Sequence, residues 1–223
     1  MPSKSPPRRA APVMPARTRA PSGRSPSAAA SAARPASGGA RYGDVAILLH
    51  WILGLALLAQ IAFGFLLDDI APRGTAARSA TINLHKSIGL VLGVVILARL
   101  CWRWLHAPPA LPVAMPAWQR RAALIGHRAL YACMLAMPLS GYIASNFSRH
   151  GVKLFGVPLA PWGPDQPAVY AFFNGVHVGT AFLFCVLIAG HVVFALKHAL
   201  IDHDEVFARM WPPLQRKSRR APS

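Results

Sequence analysis

FNGVHVGTAFLFCVLIAGHVVFALKH, residues Phe173–His198, is one long apolar run carrying two histidines, His177 and His191. Their separation in an α-helix corresponds to about 1400° of rotation, within about 40° of whole turns, and about 21 Å of rise. The two imidazoles therefore fall on nearly one face, one near each end of a membrane-spanning segment. Ionisable side chains inside such a segment are costly and mark function.

Working outward, three further apolar runs are long enough to cross a bilayer: Val45–Leu67, Ala80–Leu105 and Arg121–Phe147. The composition agrees, with 54% hydrophobic and only 14% charged residues among 223. The fold expected is an all-α integral membrane protein, a four-transmembrane-helix bundle. His50 lies one to two turns into the first span, and His85, followed by Lys86, near the start of the second. His127 lies in the first turns of the third, where Pro138 should produce a kink. The connector HAPPALPVAMPAW, 106–118, cannot be helical throughout. A Gly- and Pro-rich loop is expected over Ser148–Gln166, and LIDHDEVFARM, 200–210, reads as a polar helix extension leaving the membrane. Cys101, Cys133 and Cys185 fall in separate spans without C-x-x-C spacing, and so read as small buried hydrophobes.

The formal charge of +17 resembles a nucleic-acid signal, but its distribution does not. Residues 1–41 hold eight Lys/Arg, no acid and no aromatic residue, in a Pro/Ala/Ser background. This segment reads as a disordered basic tail, with nothing to stack on bases, so no nucleic-acid partner is expected. Arg8-Arg9 has no apolar stretch behind it, so a secretory or twin-arginine signal does not fit. The tail reads either as a cytoplasmic arm near anionic lipid or as an over-called start. Domain organisation follows as the tail 1–41, a transmembrane domain 42–210 and a second basic tail 211–223. With both termini cytoplasmic, eighteen Lys/Arg lie inside and four (Arg73, Arg78, Arg149, Lys153) in outer loops. The orientation expected is therefore multi-pass with both termini inside.

That orientation sorts the histidines into an outer layer, His85 with His177, and an inner layer, His50 with His191. Facing imidazoles in a dry bundle without Cys or carboxylate suit axial ligation of b-type haem. Zinc would want a fuller ligand set, and a proton relay would want carboxylates within the spans. Gly54 follows His50 and Gly89 follows His85 at i+4, opening a gap beside each imidazole where a porphyrin could lie. Plain helix packing is the alternative, since Gly89 and Gly93 form G-x-x-x-G. Arg41, Tyr42, Arg99, Arg103 and Arg128 are inner candidates for propionate contacts, and Lys86 is the outer one. Snorkelling to the interface would explain the same residues. His127 reads as a partner for a propionate or quinone, or as a substitute inner ligand. His198 reads as too close to the surface to ligate, and His106, His150 and His203 as solvated.

The stretches RYGDVAILLHW, LHKSIGLVLGVVILARLCWRW, HRALYACMLAMPLSGY and HVGTAFLFCVLIAGHVVFALKHALIDHDEVFARM resemble, in order, the bacterial cytochrome b561 family, which is related to the cytochrome b subunits of nickel-iron hydrogenases. The resemblance covers nearly all of Arg41–Met210. It implies a four-helix bundle in the bacterial inner membrane holding two non-covalent haem b. Carried over residue by residue, His50 and His191 hold the inner haem and His85 and His177 the outer. It also implies electron exchange with ubiquinone, and some members resemble superoxide oxidases that reduce ubiquinone, which leaves the enzyme class open. The partners expected are membrane lipid, quinone, a periplasmic redox protein or superoxide, and a second copy of the chain. A cationic outer surface near Lys86, Arg73 or Arg78 would steer an anion such as superoxide. Two other functions stay open, a quinone-reactive anchor of a hydrogenase-like or dehydrogenase complex and a non-redox, histidine-lined metal transporter. The sequence departs from the family in its basic tail and in His203, where an I-D-R-D run often carries Arg.

Overall fold

The computed structural model describes residues 41–107, 109–110, 115–204 and 206–211. The tail expected over 1–41 lies, but for Arg41, outside these residues, as does all of the second tail beyond Trp211. The chain forms α1 (Asp44–Phe65), a short α2 (Leu67–Ile70), α3 (Ala77–Leu105), α4 (Ala117–Asn146), strands β1 (Val152–Leu154) and β2 (Val157–Leu159), and α5 (Pro167–Leu200). α1, α3, α4 and α5 are each long and apolar enough to cross a membrane. The second, third and fourth start several residues earlier than hydropathy alone suggested. α5 begins at Pro167, where a fixed φ and a missing N–H are tolerated in a first turn.

Close packing runs α1 to α3, α3 to α4 and α4 to α5. Among the described residues α5 packs closely only against α4, so α1 and α3 stand off from it. The core lies at mid-height: Leu53 and Ile61 from α1, Ile96 from α3, Cys133 and Met134 from α4, and Phe184 from α5. Outward-facing apolar side chains remain bare, such as Leu48 at 59%, Val94 at 63% and Val186 at 69% exposure. That distribution suits a lipid-facing surface, where apolar residues need no protein cover. Cys101 is exposed on this surface rather than buried, whereas Cys133 lies in the core and Cys185 packs partly buried against it. Pro138 lies within the continuous α4, with its ring against Gly93, so one glycine of the G-x-x-x-G pair serves helix packing.

Two segments correct the sequence reading. The loop after α4 contains an antiparallel hairpin, Val152 pairing with Leu159 and Leu154 with Val157. Its turn residues Phe155 and Gly156 both have positive φ, 47° and 95°, as a two-residue hairpin turn of the primed kind requires. The non-glycine Phe155 is held there because its N–H donates to Ser87 Oγ at 2.9 Å. Ser87 is fully buried on α3, with Oγ also 2.8 Å from the Lys153 carbonyl, and Lys86 Nζ donates to the Gly151 carbonyl at 2.8 Å. The hairpin is thus pinned onto the residues that directly follow His85.

At the opposite end, α5 stops at Leu200, and among the described residues no polar helix extends from it. His203 takes φ of 49°, and the chain folds back in turns over the start of α1. Trp51 Nε1 donates to the Met210 carbonyl at 2.8 Å, and Arg41 Nη2 to the Trp211 carbonyl at 2.6 Å. Arg209 Nη1 donates to the Ala110 carbonyl at 2.7 Å, tying this strap to the α3–α4 connector.

Substituting Ser87→Ala should release the hairpin, because it removes the partner of both the part-buried Phe155 N–H and the Lys153 carbonyl, each bond contributing about 0.5–1.5 kcal/mol. Hydrogen exchange at Phe155 and its neighbours should accelerate at least several-fold while the α4–α5 core stays protected. Unchanged exchange would show that Ser87 does not hold the hairpin.

Candidate functional site

Five histidines come from four helices and gather in two clusters, one at the hairpin end and one at the end bearing the termini. At the hairpin end, His85 of α3 and His177 of α5 face each other with ring centroids 6.2 Å apart and planes at 87°. At the other end, His50 of α1 and His191 of α5 stand 6.1 Å apart at 65°. His127 of α4 joins this second cluster, 5.4 Å from His191. The helical spacing on α5 explains why one helix serves both clusters. Phe184, midway between His177 and His191 and 2% exposed, fills the interval.

The ring separations bear on what the clusters can hold. Imidazole nitrogen binds first-row metals at about 2.0–2.1 Å. Allowing about 1.1 Å from nitrogen to ring centre, two trans ligands place their centroids about 6.3 Å apart on the same metal-nitrogen distance. Both principal pairs are within about 0.2 Å of that span. The stand-off of α5 from α1 and α3 leaves only side chains across each gap. No Cys or carboxylate completes a tetrahedral set at either cluster among the described residues. The donor set and spacing therefore fit a planar group ligated on both faces.

Second partners of the imidazoles determine which nitrogen is free to ligate. His177 Nδ1–H donates to the Met137 carbonyl of α4 at 2.8 Å, leaving Nε2 for a ligand. His127 Nδ1–H donates to the Ala123 carbonyl one turn back at 2.6 Å, with the same consequence. Beside His85 stands Gln60 of α1, with Nε2 3.1 Å from Nδ1 and 2.7 Å from the His85 carbonyl. Its Oε1 is buried without a partner. Beside His50, Arg99 of α3 brings Nη2 to 3.3 Å from Nδ1. Of the positions proposed from sequence, Arg99 is thus at a histidine, whereas Arg41 is engaged with the strap and Lys86 with the hairpin. Tyr42 is half-buried at the start of α1.

The glycines divide by use. A Cβ on Gly54 would meet nothing within 4 Å, so space is open beside His50. The gap expected beside Gly89 is taken up by Gln60, whose Nε2 would lie 3.4 Å from such a Cβ. Two glycines that sequence reasoning passed over are tighter. A Cβ on Gly64 would approach His85 Cε1 to 3.0 Å, and one on Gly141 would approach His177 Nδ1 to 2.9 Å. Each hairpin-end imidazole therefore lies on a glycine of a neighbouring helix, one turn after the group that meets its Nδ1. Neither of these two glycines has a glycine four residues away or a histidine within one turn, so local sequence carried no signal for them.

The chain matches the Prokaryotic cytochrome b561 family over residues 41–213. It belongs to that family. It is similar to cytochrome b561 homolog 2 of Escherichia coli (strain K12), 33% identical over 178 residues, covering 76% of this chain and 90% of the relative. It is also similar to cytochrome b561 homolog 1 of the same organism, 28% identical over 172 residues, covering 77% and 97%. As a b561 member it is a multi-pass bacterial membrane protein that carries electrons through b-type haem.

Among the described residues one further cluster has metal-type side chains: His198, Asp202 and Asp204 at the C-terminal end of α5. His198, in the last turn of α5, is buried within the protein, its Nδ1 2.7 Å from Asp204 Oδ2, and Lys197 Nζ donates to Asp202 Oδ2 at 2.5 Å. These four residues pair among themselves, and the Asp204 carboxylate also accepts the Val206 N–H at 3.0 Å, which starts the strap.

Substituting Gly141→Leu should lower the haem-to-protein ratio and the visible α-band, since even a Cβ there crowds His177. An undiminished haem ratio in the Gly141 variant would show that the His177 seat is not needed for haem.

Proposed function

We propose that the protein conducts electrons across the bacterial inner membrane through two b haems, with His85 and His177 ligating the outer one and His50 and His191 the inner one. The observation that carries this reading is the two histidine pairs at 6.2 and 6.1 Å, both anchored on α5. Both termini are cytoplasmic in this reading, in line with the excess of Lys and Arg at that end. Haem held between these histidine pairs would supply one-electron transfer rather than oxygen activation.

The chain's own residues contribute orientation, insulation and charge. The Met137 carbonyl holds the Nδ1 proton of His177, so Nε2 points its lone pair into the outer gap. Arg99 sets a permanent positive charge beside His50, suited to a propionate or to stabilising an added electron. Gly54 and the open space beside it accommodate a ring next to His50. The core from Leu53 to Phe184 excludes water between the sites, and the hairpin and strap close the two ends.

Ubiquinone is the proposed electron partner inside the membrane, with superoxide or a periplasmic redox protein at the outer face. Direct steering of superoxide by Lys86 finds less support, since its Nζ is bonded to the hairpin backbone. Arg73 and Arg78 share Asp68, and Arg149 pairs with Asp165. Lys153, exposed on the hairpin, is the better candidate for a steering cation. A second inner arrangement rests on a specific observation: His127 is closer to His191 than His50 is, and its Nδ1 proton is already held.

Reduced-minus-oxidised spectra and haem stoichiometry of single variants test the assignment. His85→Ala and His177→Ala should each remove one haem of two while sparing the other, and His50→Ala and His191→Ala should remove the second. His127→Ala should retain both haems; loss of one there, with His50→Ala retaining two, would make His127 the inner ligand. A haem ratio near one in the unsubstituted protein would end the two-haem reading. Reduction of the purified protein by ubiquinol, or by superoxide with ubiquinone as acceptor, tests the partners.

A further inference from the structure

We infer that Gln60 is a positioning residue for the outer haem: its side-chain amide orients His85 as an iron ligand and sets the basicity of that imidazole. The inference rests on the bis-histidine reading of the outer site.

Gln60 is a polar side chain in the C-terminal third of α1, a helix that carries no outer ligand. Its amide is wedged between α1 and α3, with Nε2 donating to the His85 carbonyl at 2.7 Å and standing 3.1 Å from His85 Nδ1. Gly89 on α3 makes room for it, at 3.4 Å from a would-be Cβ. One turn further along α1, Gly64 lets the His85 ring approach so closely that a Cβ would meet Cε1 at 3.0 Å. The partner ring has the same construction on α4. There the Met137 carbonyl meets Nδ1 of His177, and Gly141, one turn on, lies against the ring. Each outer imidazole is thus gripped by a pair four residues apart on a helix that supplies no outer ligand.

The two grips differ in chemistry. A neutral imidazole that ligates through Nε2 keeps its proton on Nδ1, so Nδ1 then needs an acceptor. Met137 provides one in its backbone carbonyl. At His85 the amide presents its donor, while its acceptor, Oε1, is buried with no partner. A buried amide oxygen without a partner is costly. Rotation of the amide would carry Oε1 to the Nδ1–H of His85 when His85 Nε2 is the ligating nitrogen, giving both atoms a partner in exchange for the bond from Gln60 Nε2 to the His85 carbonyl. A side chain serving only to tie α1 to α3 would need the bond to the His85 carbonyl and no more. An acceptor on Nδ1 raises the ligand's basicity and favours the ferric state, so Gln60 should hold the outer reduction potential down.

The test is a spectroelectrochemical titration of the full-length protein and its Gln60→Met, Gln60→Leu and Gln60→Glu variants. The outer component is identified as the one lost in His177→Ala. In the Met and Leu variants its ferrous-to-ferric ratio at fixed potential should rise about tenfold, which is about 59 mV for one electron. In the Glu variant it should fall, and the inner component should stay within about twofold throughout on the same scale. Should Met and Leu lose the outer haem altogether, a Glu variant that retains it at lowered potential supports the same role. An unchanged outer component, a common shift of both components, or loss of the outer haem in all three variants would overturn it. If the unsubstituted protein titrates as a single component, it is the two-haem reading that fails.

Discussion

A polar atom in hydrocarbon has no water to bond, and this constraint governs where each imidazole nitrogen of the bundle can point. Helix backbones satisfy themselves, but side chains must find partners nearby. Ser140, Ser145 and Asn146 bond back to carbonyls of the preceding turn of α4. His127 does the same with Ala123, and His177 reaches across to Met137. Once Nδ1 is committed in this way, Nε2 is the nitrogen left to face the interior gap. The ligand geometry is therefore a consequence of satisfying the other nitrogen, and α4, which supplies no ligand in the favoured assignment, controls the orientation of one that α5 supplies.

The two ends of the bundle are closed by different devices. At the hairpin end, backbone groups of 151–155 are held by Lys86 and Ser87, the residues immediately after His85, so the closure and the ligand share one turn of α3. At the other end the strap is held by Trp51, immediately after His50, through its bond to the Met210 carbonyl. In both cases the residue that follows a histidine anchors the segment that covers it. Water exclusion and ligand placement are thereby coupled: movement of either cover pulls on the helix turn that carries the imidazole.

Much of this was legible in the sequence for physical reasons. Four spans follow from hydropathy because lipid admits little else than helices. The layering of His50, His85, His177 and His191 follows from counting residues at 1.5 Å each along spans of alternating direction. The hairpin was not legible, since its three-residue strands gave no alternation, and its non-glycine turn residue depends on Ser87, far away in sequence. The strap was read as a helix because its local composition permits one; the turn after Leu200 comes from pairing of His198 with Asp204 and from anchors at Arg41 and Trp51. Gln60 looked like one polar residue in an apolar run, and Gly64 and Gly141 like ordinary small residues. Their meaning lies in which ring lies opposite, and that is set by helix rotation rather than by any local pattern.

The position of α5 follows from the same constraint. Among the described residues it packs closely on α4 alone, and across the wider spacing to α1 and α3 it reaches with His177, Phe182, Phe184 and His191. A helix with large apolar residues facing those gaps would close them, whereas a pair of imidazoles spanning about 6 Å between ring centres holds them open. His177, Phe184 and His191 recur at intervals of two turns, so the separation of the sites and the apolar filling between them are fixed by one helix. Lengthening α5 by one residue between His177 and His191 would turn one imidazole by about 100° relative to the other while adding only about 1.5 Å. Angular register, far more than distance, is therefore what this helix must preserve, and the close packing of α4 along its length is what preserves it.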